Sequence, residues 1–314
     1  MTLAPNLSSD AAANRRTRAP ARRPKASWQI WRGADGTLSW LRLTAIAFLL
    51  VPVAVASYDY QVLGLRPARP LNDVIHRTGY WALIYLLVSL AVTPLRRVVR
   101  FNALLDVRRM IGVGAFVYAA AHILLYVADQ MFDLKKVASE IVLRLYLTIG
   151  FVALLGLMAL AATSTDGMVR RLGTKWWQWL HQAIYVIAVL VLIHYFQQTK
   201  ADVSVPTFVA GLFGWLIGYR LLVRGRQPRD EPPAWMLLAL SVGMTALTMI
   251  CEAVGIALSF KVSPWTVLQL NFEFHLDMLE GIRPAWWVLG AGLCVVMVDL
   301  IRSRHAKPWR HAAA

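Results

Sequence analysis

The sequence of 314 residues is 58% hydrophobic and only 16% charged, with a mean hydropathy of +0.52. Soluble domains are about 45–50% apolar, so this composition favours a membrane protein. The formal net charge of +16 comes from short basic blocks between apolar runs. That pattern is typical of membrane loops and argues against a nucleic-acid partner.

The first residues of the chain carry little apolar surface. Residues 1–32 are rich in Ala, Pro and Arg and cannot bury enough apolar area to fold, which predicts a disordered basic cytoplasmic tail over 1–38. A cleavable signal peptide is an alternative for the next segment, because an apolar stretch over 43–53 precedes small residues at 54–56. Cleavage would leave seven membrane spans in the same orientation.

Eight apolar stretches follow one another, each of roughly the length needed to cross a bilayer. Because no water is available there to pair with the backbone, each stretch must be helical, which predicts an all-α polytopic membrane bundle. We expect a six-helix core within residues 39–223 and a C-terminal extension over 224–314 with two further spans. The predicted spans lie near 41–57, 76–95, 109–128, 145–163, 177–197, 205–223, 234–258 and 285–301.

The distribution of basic residues predicts the orientation. Of the 33 Lys and Arg residues, 22 fall in the two termini and the alternate loops on their side, 8 fall in the opposite loops, and three lie at helix ends. The positive-inside rule therefore predicts that both termini are cytoplasmic.

Four histidines lie in or at the ends of predicted spans. His122 and His194 have matching depths near the outer ends of the third and fifth spans, so their imidazoles could bind one haem iron from opposite sides, as an electron carrier requires.

His181 lies roughly 20 Å from His194 along the helix axis. His76 is on the outer side, and Arg109 stands where a second inner ligand would fall. A second haem is therefore doubtful, and hydrogen bonds between helices are the alternative role for any single membrane histidine. The other histidines fall in predicted loops or the C-terminal tail: His275, His305 and His311.

Several motifs are absent. There is no C-x-x-C-H for covalent haem attachment, and Cys251 and Cys294 lie in apolar runs as small hydrophobic residues. Without G-x-G-x-x-G or a phosphate-binding loop, electrons must come from another protein or a membrane-soluble donor.

A transporter or channel-type bundle without haem would need paired carboxylates or two related halves, whereas Glu252 stands alone in its span. A membrane metal oxidase would need histidines clustered on one helix face.

Short blocks of residues, in order and at consistent spacing, resemble a known family. They are His76-Arg77-Thr78-Gly79-Tyr80-Trp81-Ala82-Leu83, Thr93-Pro94-Leu95-Arg96-Arg97, Arg108-Arg109-Met110-Ile111-Gly112, Ala121-His122-Ile123-Leu124-Leu125-Tyr126, Arg144-Leu145-Tyr146-Leu147-Thr148-Ile149-Gly150, Thr163-Ser164-Thr165, and Leu172-Gly173 through Trp179-Leu180-His181 to His194-Tyr195. The sequence over about 40–223 resembles the MsrQ (YedZ) family, the haem-binding membrane subunits of the periplasmic protein-methionine-sulfoxide reductase system. That family belongs to the ferric-reductase-like transmembrane group.

The resemblance implies b-type haem within a six-helix core in the bacterial inner membrane, and FMN as a further cofactor. It implies quinol or a cytoplasmic flavin reductase as the donor, and a periplasmic molybdopterin-dependent methionine sulfoxide reductase as the acceptor. The chain would then be an electron-transfer subunit with no substrate-reducing centre of its own. Carried over by position, the candidate haem-iron ligands are His122, His181 and His194, with His76 as a further cofactor-binding candidate.

Overall fold

The computed structural model describes residues 31–33, 37–64, 67–199, 202–226, 232–273 and 281–305. Most of the predicted N-terminal tail, together with His275 and His311, lies outside these residues. The chain divides into two compact units, one up to Phe48 and one from Leu49 onward. All side chains discussed below belong to the second unit.

The described residues form an all-α structure, as predicted, with a single isolated β-bridge between Arg32 and Leu38. Within the described residues, eight helical segments are long and apolar enough to cross a membrane, one of them formed by two consecutive helices, which confirms the eight predicted spans. The helices of the described residues are α1 Trp40–Gln61, α2 Pro70–Val98, α3 Leu104–Asp129, α4 Leu134–Leu143, α5 Leu145–Ala162, α6 Asp166–Leu172, α7 Thr174–Gln182, α8 Ile184–Gln198, α9 Ser204–Leu222, α10 Ala234–Phe260, α11 Pro264–Leu270 and α12 Pro284–His305.

Local sequence explains where several helices begin. Pro70 occupies the first turn of α2, where its missing N–H costs nothing because that turn has no intrahelical acceptor. Asp133 caps α4 by accepting from the Lys136 N–H at 3.0 Å, and Thr165 caps α6 by accepting from Met168 N–H at 3.2 Å. Gly173 separates α6 from α7 with a φ of 77°, a conformation that glycine adopts without steric cost.

The fifth membrane span consists of two helices, α7 and α8. They meet at Ala183, whose torsions (φ −55°, ψ −19°) remain right-handed helical. His181 lies in α7 and His194 in α8. The helical path of the span therefore continues past Ala183, and only the hydrogen-bond pattern tightens there, with the Ala183 N–H donating to the Leu180 carbonyl at 3.1 Å.

A short amphipathic helix, α4, connects the third and fourth spans, and the sequence analysis did not predict it. Its Val137 is buried, while Val142 and Leu143 are exposed. The turn before it holds Met131 and Phe132 at φ values of 53° and 60°. Non-glycine residues rarely adopt such torsions, so this turn is a sterically demanding feature of the loop.

The extension helices pack on the core mainly through α9. Helices α10 and α12 contact each other and both contact α9. A Cβ on Gly211 of α9 would lie 2.6 Å from Val288 Cγ2 and 2.7 Å from Thr248 Oγ1, so glycine permits the close approach of the three helices. The indole N–H of Trp215 donates to Ser241 Oγ at 3.0 Å and joins α9 to α10.

Candidate functional site

Two of the four candidate histidines lie side by side between α3 and α8. The ring centroids of His122 and His194 are 6.4 Å apart, and their planes are nearly perpendicular at 83°. His122 Nδ1 is 2.7 Å from the Ile75 carbonyl oxygen, and His194 Nδ1 is 2.7 Å from the Tyr146 carbonyl oxygen. Because a carbonyl can only accept, Nδ1 carries the proton in each ring, and in a neutral imidazole this leaves the lone pair on Nε2.

The spacing of the two rings suits a shared metal ion. Metal–nitrogen bonds to histidine are about 2 Å long, so two imidazoles that bind one ion from opposite sides have centroids roughly 6 Å apart. The observed 6.4 Å agrees with this separation. Hydrogen bonds from Nδ1 to backbone carbonyls also hold each ring in the orientation and tautomer that a metal ligand needs.

A glycine lies against each imidazole. A Cβ on Gly79 of α2 would be 3.0 Å from His122 Nδ1, and a Cβ on Gly150 of α5 would be 2.7 Å from His194 Nδ1. Each glycine lies four residues after the accepting carbonyl, the position toward which that carbonyl points in an α-helix. The absence of a side chain there opens the carbonyl to a donor from a neighbouring helix, and the same arrangement occurs at both histidines.

Polar groups connect α4 to the helices that carry this pair. The Tyr126 hydroxyl donates to Glu140 in a very short hydrogen bond. Arg144 donates to Glu140 Oε1 and to the Tyr146 hydroxyl, both at 3.3 Å. The hydrogen bond to Tyr146 and the negative charge of Glu140 raise the pKa of Arg144, so this guanidinium stays protonated. The Tyr146 ring is 6.4 Å from the His194 ring, so the network ends beside the histidine pair.

His181 lies apart from the pair in a different environment. Its ring stacks on Trp177 with centroids 3.9 Å apart, and its Nδ1 is 3.0 Å from the Trp177 carbonyl oxygen. Its Nε2 faces the Ser164 hydroxyl at 3.4 Å. No ring contact joins His181 to another histidine within the described ranges.

His76 lies exposed near the start of α2, with Nδ1 2.8 Å from the Asn72 carbonyl oxygen. Arg109, at the position where a second inner ligand was considered, forms an ion pair with Asp166. Of the four candidate histidines, all of them described, only His122 and His194 are brought together.

The sequence analysis missed the residues that orient the pair. Gly79 and Gly150 stood inside the blocks that resemble the family but received no role, and the accepting carbonyls leave no trace in residue type. The recurrence of a glycine four residues after each of these carbonyls is a signal that could have found them.

Comparison with known proteins identifies the family. A family model described as the ferric reductase like transmembrane component matches residues 78–192. A relative from Rhodospirillum rubrum, named protein-methionine-sulfoxide reductase heme-binding subunit MsrQ, is 45% identical over 164 residues, which are 52% of this chain and 79% of the relative. The chain belongs to the MsrQ family. Proteins of the same name from Ralstonia nicotianae and Xanthomonas campestris are 39% and 38% identical to this chain. The matches cover 58% and 60% of this chain and 82% and 90% of the relatives. No solved structure matches the chain.

Membership in the MsrQ family confirms the resemblance that the sequence blocks indicated, and it agrees with a multi-pass membrane protein. The family model includes His122 and His181 and ends two residues before His194. The MsrQ relatives match little more than half of this chain, whereas the chain spans most of their lengths. A large part of this sequence, which includes α10 and α12, therefore lies beyond the family model.

Proposed function

We propose that this chain binds b-type haem between His122 and His194 and transfers electrons in the repair of oxidised methionine. The observation that carries the proposal is the pair itself, with rings 6.4 Å apart and each Nδ1–H donated to a backbone carbonyl. Among the described residues, no group of three or more His, Cys, Asp or Glu side chains could hold a bare metal ion. Two histidines suffice for an iron whose other four positions a porphyrin supplies.

The protein residues would do three things at this site. His122 and His194 would hold the haem iron through Nε2, and an iron held by two protein ligands would be closed to substrates and suited to electron transfer rather than catalysis. The Ile75 and Tyr146 carbonyls accept from Nδ1 and fix both ring orientations. Gly79 and Gly150 leave room for the rings. The group itself, when bound, supplies a one-electron redox couple.

The names of the relatives support a place in protein-methionine-sulfoxide reduction. The donor is quinol or a cytoplasmic flavin reductase, with FMN as an additional cofactor, and the acceptor is a periplasmic molybdopterin-dependent methionine sulfoxide reductase. The chain has no substrate-reducing centre of its own. His181 is the candidate ligand of a second haem, and His76 is a further cofactor-binding candidate.

The proposed setting is a bacterial inner membrane with both termini in the cytoplasm, in accord with the distribution of basic residues. Residues 1–38 form a cytoplasmic tail, 39–223 the haem-binding domain, and 224–314 an extension. Green fluorescent protein fused to the C-terminus should fluoresce, because this protein folds in the cytoplasm. It does not fold in the periplasm after export as an unfolded chain. Activity of a C-terminal alkaline phosphatase fusion would contradict this orientation.

The experiment that tests the function is a dithionite-reduced minus oxidised absorption spectrum of the purified, haem-supplied protein, with haem quantified per chain. The wild type should show a sharp b-type α-band, and His122→Ala and His194→Ala should each abolish it. His305→Ala, at the end of α12, serves as the control and should keep the full band. Full haem spectra in both His122→Ala and His194→Ala would contradict the assignment of these histidines as haem ligands. A folded wild type without any haem would favour the transporter alternative.

A further inference from the structure

Three arginines lie together at one end of the helix bundle. They are Arg96 near the end of α2, Arg108 in the second turn of α3 and Arg220 near the end of α9, all within helices long and apolar enough to span a membrane. Arg96 and Arg220 are close enough to Arg108 for their like charges to repel it. All three side chains are only partly buried, so a ligand can reach them.

Arg108 has no partner of opposite charge. Within the described ranges, its guanidinium forms no hydrogen bond and no ion pair, and the cations that act on it are other arginines. Asp166 pairs with the neighbouring Arg109 instead. A charge within a membrane span is costly and usually pairs with an opposite charge or with carbonyls. The cluster therefore lacks an anion.

Arg220 is held in place by uncharged groups. Its Nη1 donates to the Leu216 carbonyl at 3.0 Å, and its Nη2 donates to the Leu90 carbonyl of α2. The guanidinium carbon also lies 5.4 Å from the centre of the Tyr185 ring of α8. These contacts fix the guanidinium between α2, α8 and α9, but they leave its positive charge without a counter-charge.

Helix α2 adds two buried polar atoms that lack partners in the part of the chain that the structure describes. Arg96 Nη1 donates to Asn102 Oδ1 at 3.3 Å, whereas its Nε is buried without a hydrogen bond. Thr93 Oγ1 is also buried without a partner, and it lies three residues earlier, on the same face of the helix. Buried polar groups are normally hydrogen-bonded, so this face has unused capacity to bind an oxygen-rich ligand.

The surroundings of the cluster indicate which oxyanion it suits. A guanidinium matches two phosphate oxygens with two parallel N–H donors. Leu105, one turn before Arg108 on α3, is 39% exposed. Leu221, next to Arg220 on α9, is 61% exposed. Apolar chains can therefore lie beside the arginines, and a phospholipid combines such chains with a phosphate.

We propose that Arg96, Arg108 and Arg220 bind the phosphate of an anionic phospholipid, with its acyl chains against the exposed leucines of α3 and α9. The phosphate accepts from the guanidiniums, offsets their mutual repulsion and links α2, α3 and α9. In the proposed orientation this end faces the cytoplasmic leaflet, and basic pockets between spans on that side bind anionic head groups. Haem plays no part in this site, and only the choice of leaflet relies on the orientation.

A matched pair of variants separates this site from general electrostatic attraction. Arg108→Gln removes a guanidinium that has no hydrogen bond within the described residues. Arg224→Gln is the control, because it removes the same charge from an exposed position four residues after Arg220. The two variants have the same net charge, so their non-specific attraction to anionic lipid falls equally.

Native mass spectrometry of the delipidated full-length protein, titrated with dioleoyl-phosphatidylglycerol, measures binding. The apparent Kd should rise at least tenfold in Arg108→Gln and stay within twofold of the wild type in Arg224→Gln. Dioleoyl-phosphatidylcholine, whose head group has no net charge, should bind the wild type at least tenfold more weakly. Equal binding by the two variants, or equal binding of the two lipids, would overturn the site.

Thermal unfolding in neutral detergent distinguishes a ligand-binding role of Arg108 from a structural one. Without phospholipid, Arg108→Gln should unfold at the wild-type temperature or above it, because the substitution removes repulsion and breaks no bond. Phosphatidylglycerol should raise the unfolding temperature of the wild type and Arg224→Gln, but not that of Arg108→Gln. A lower unfolding temperature of lipid-free Arg108→Gln would contradict the proposal. Stabilisation by inorganic phosphate or FMN, but not by phosphatidylglycerol, would assign the arginines to a soluble phosphate and overturn the lipid site.

Discussion

At the scale of single residues, the site depends on two places where no side chain is present. His122 and His194 donate to carbonyls that a larger residue at Gly79 or Gly150 would cover. The separation of the added Cβ from Nδ1 is 2.7 Å at Gly150 and 3.0 Å at Gly79. Real Cβ atoms essentially never approach a heavy atom to less than 3.0 Å, so the imidazole of His194 would have to move if Gly150 were replaced.

We therefore predict that Gly150→Ala weakens haem binding about ten- to hundred-fold, the usual cost of losing a partner that orients a metal ligand. Haem retention is measured by competition with apomyoglobin. Gly156→Ala is the control on the same helix, because its Cβ would lie 2.8 Å from Ile187 Cδ1 and Cγ1, in a side chain that can change rotamer. Equal haem loss from the two variants would show that the pair does not depend on the carbonyl bond.

The residue scale also marks a limit of sequence-based prediction. The matching depths of His122 and His194 could be predicted, because helix rise converts residue number into height. The hydrogen-bond partners of their Nδ1 atoms could not be predicted, because a backbone carbonyl leaves no sign in the sequence. Whether an imidazole can reach that carbonyl depends on how α2 and α5 pack against the rings.

At the scale of elements, α4 was missed because a loop helix of ten residues has no membrane-length apolar run. Its position instead depends on specific hydrogen bonds that Tyr126 and Arg144 donate to Glu140. The Glu140 side chain is only 19% exposed. Hydrogen bonds to a charged group of this kind contribute about 1.5–3 kcal/mol each.

Glu140→Ala should therefore release α4 from the bundle. Lys135 and Lys136 lie exposed on this helix, so limited trypsin digestion should cleave there at least tenfold faster. The loss of even one such hydrogen bond, about 1.5 kcal/mol, corresponds to a roughly tenfold change in the local opening equilibrium. Ser139→Ala, which alters an exposed neighbour on the same helix, should digest at the wild-type rate. Identical digestion of the two variants would mean that apolar contacts alone hold α4.

At the scale of the whole molecule, the order and number of spans could be predicted because each helix must satisfy its own backbone in lipid. The contacts between helices that are distant in the sequence could not be predicted in this way. Arg302 of α12 donates to the Arg97 carbonyl at the end of α2 at 3.0 Å, across 205 positions in sequence. No local pattern encodes such a pairing, and it appears only once the extension is packed.

Removal of residues 227–314 tests whether the extension is a separate addition to the haem-binding domain. The relatives match 52–60% of this chain, and both proposed ligands precede the cut, so the shortened protein should retain haem at the wild-type ratio. It should unfold at a lower temperature, because α9 loses the packing at Gly211 and the bond from Trp215 to Ser241. Lipid would cover the newly exposed face of α9 without a hydrophobic penalty, so the drop in unfolding temperature reflects lost packing and hydrogen bonding alone. Removal of residues 306–314 alone is the control and should leave both quantities unchanged. A folded 1–226 protein without haem would instead place the extension within the haem-binding domain.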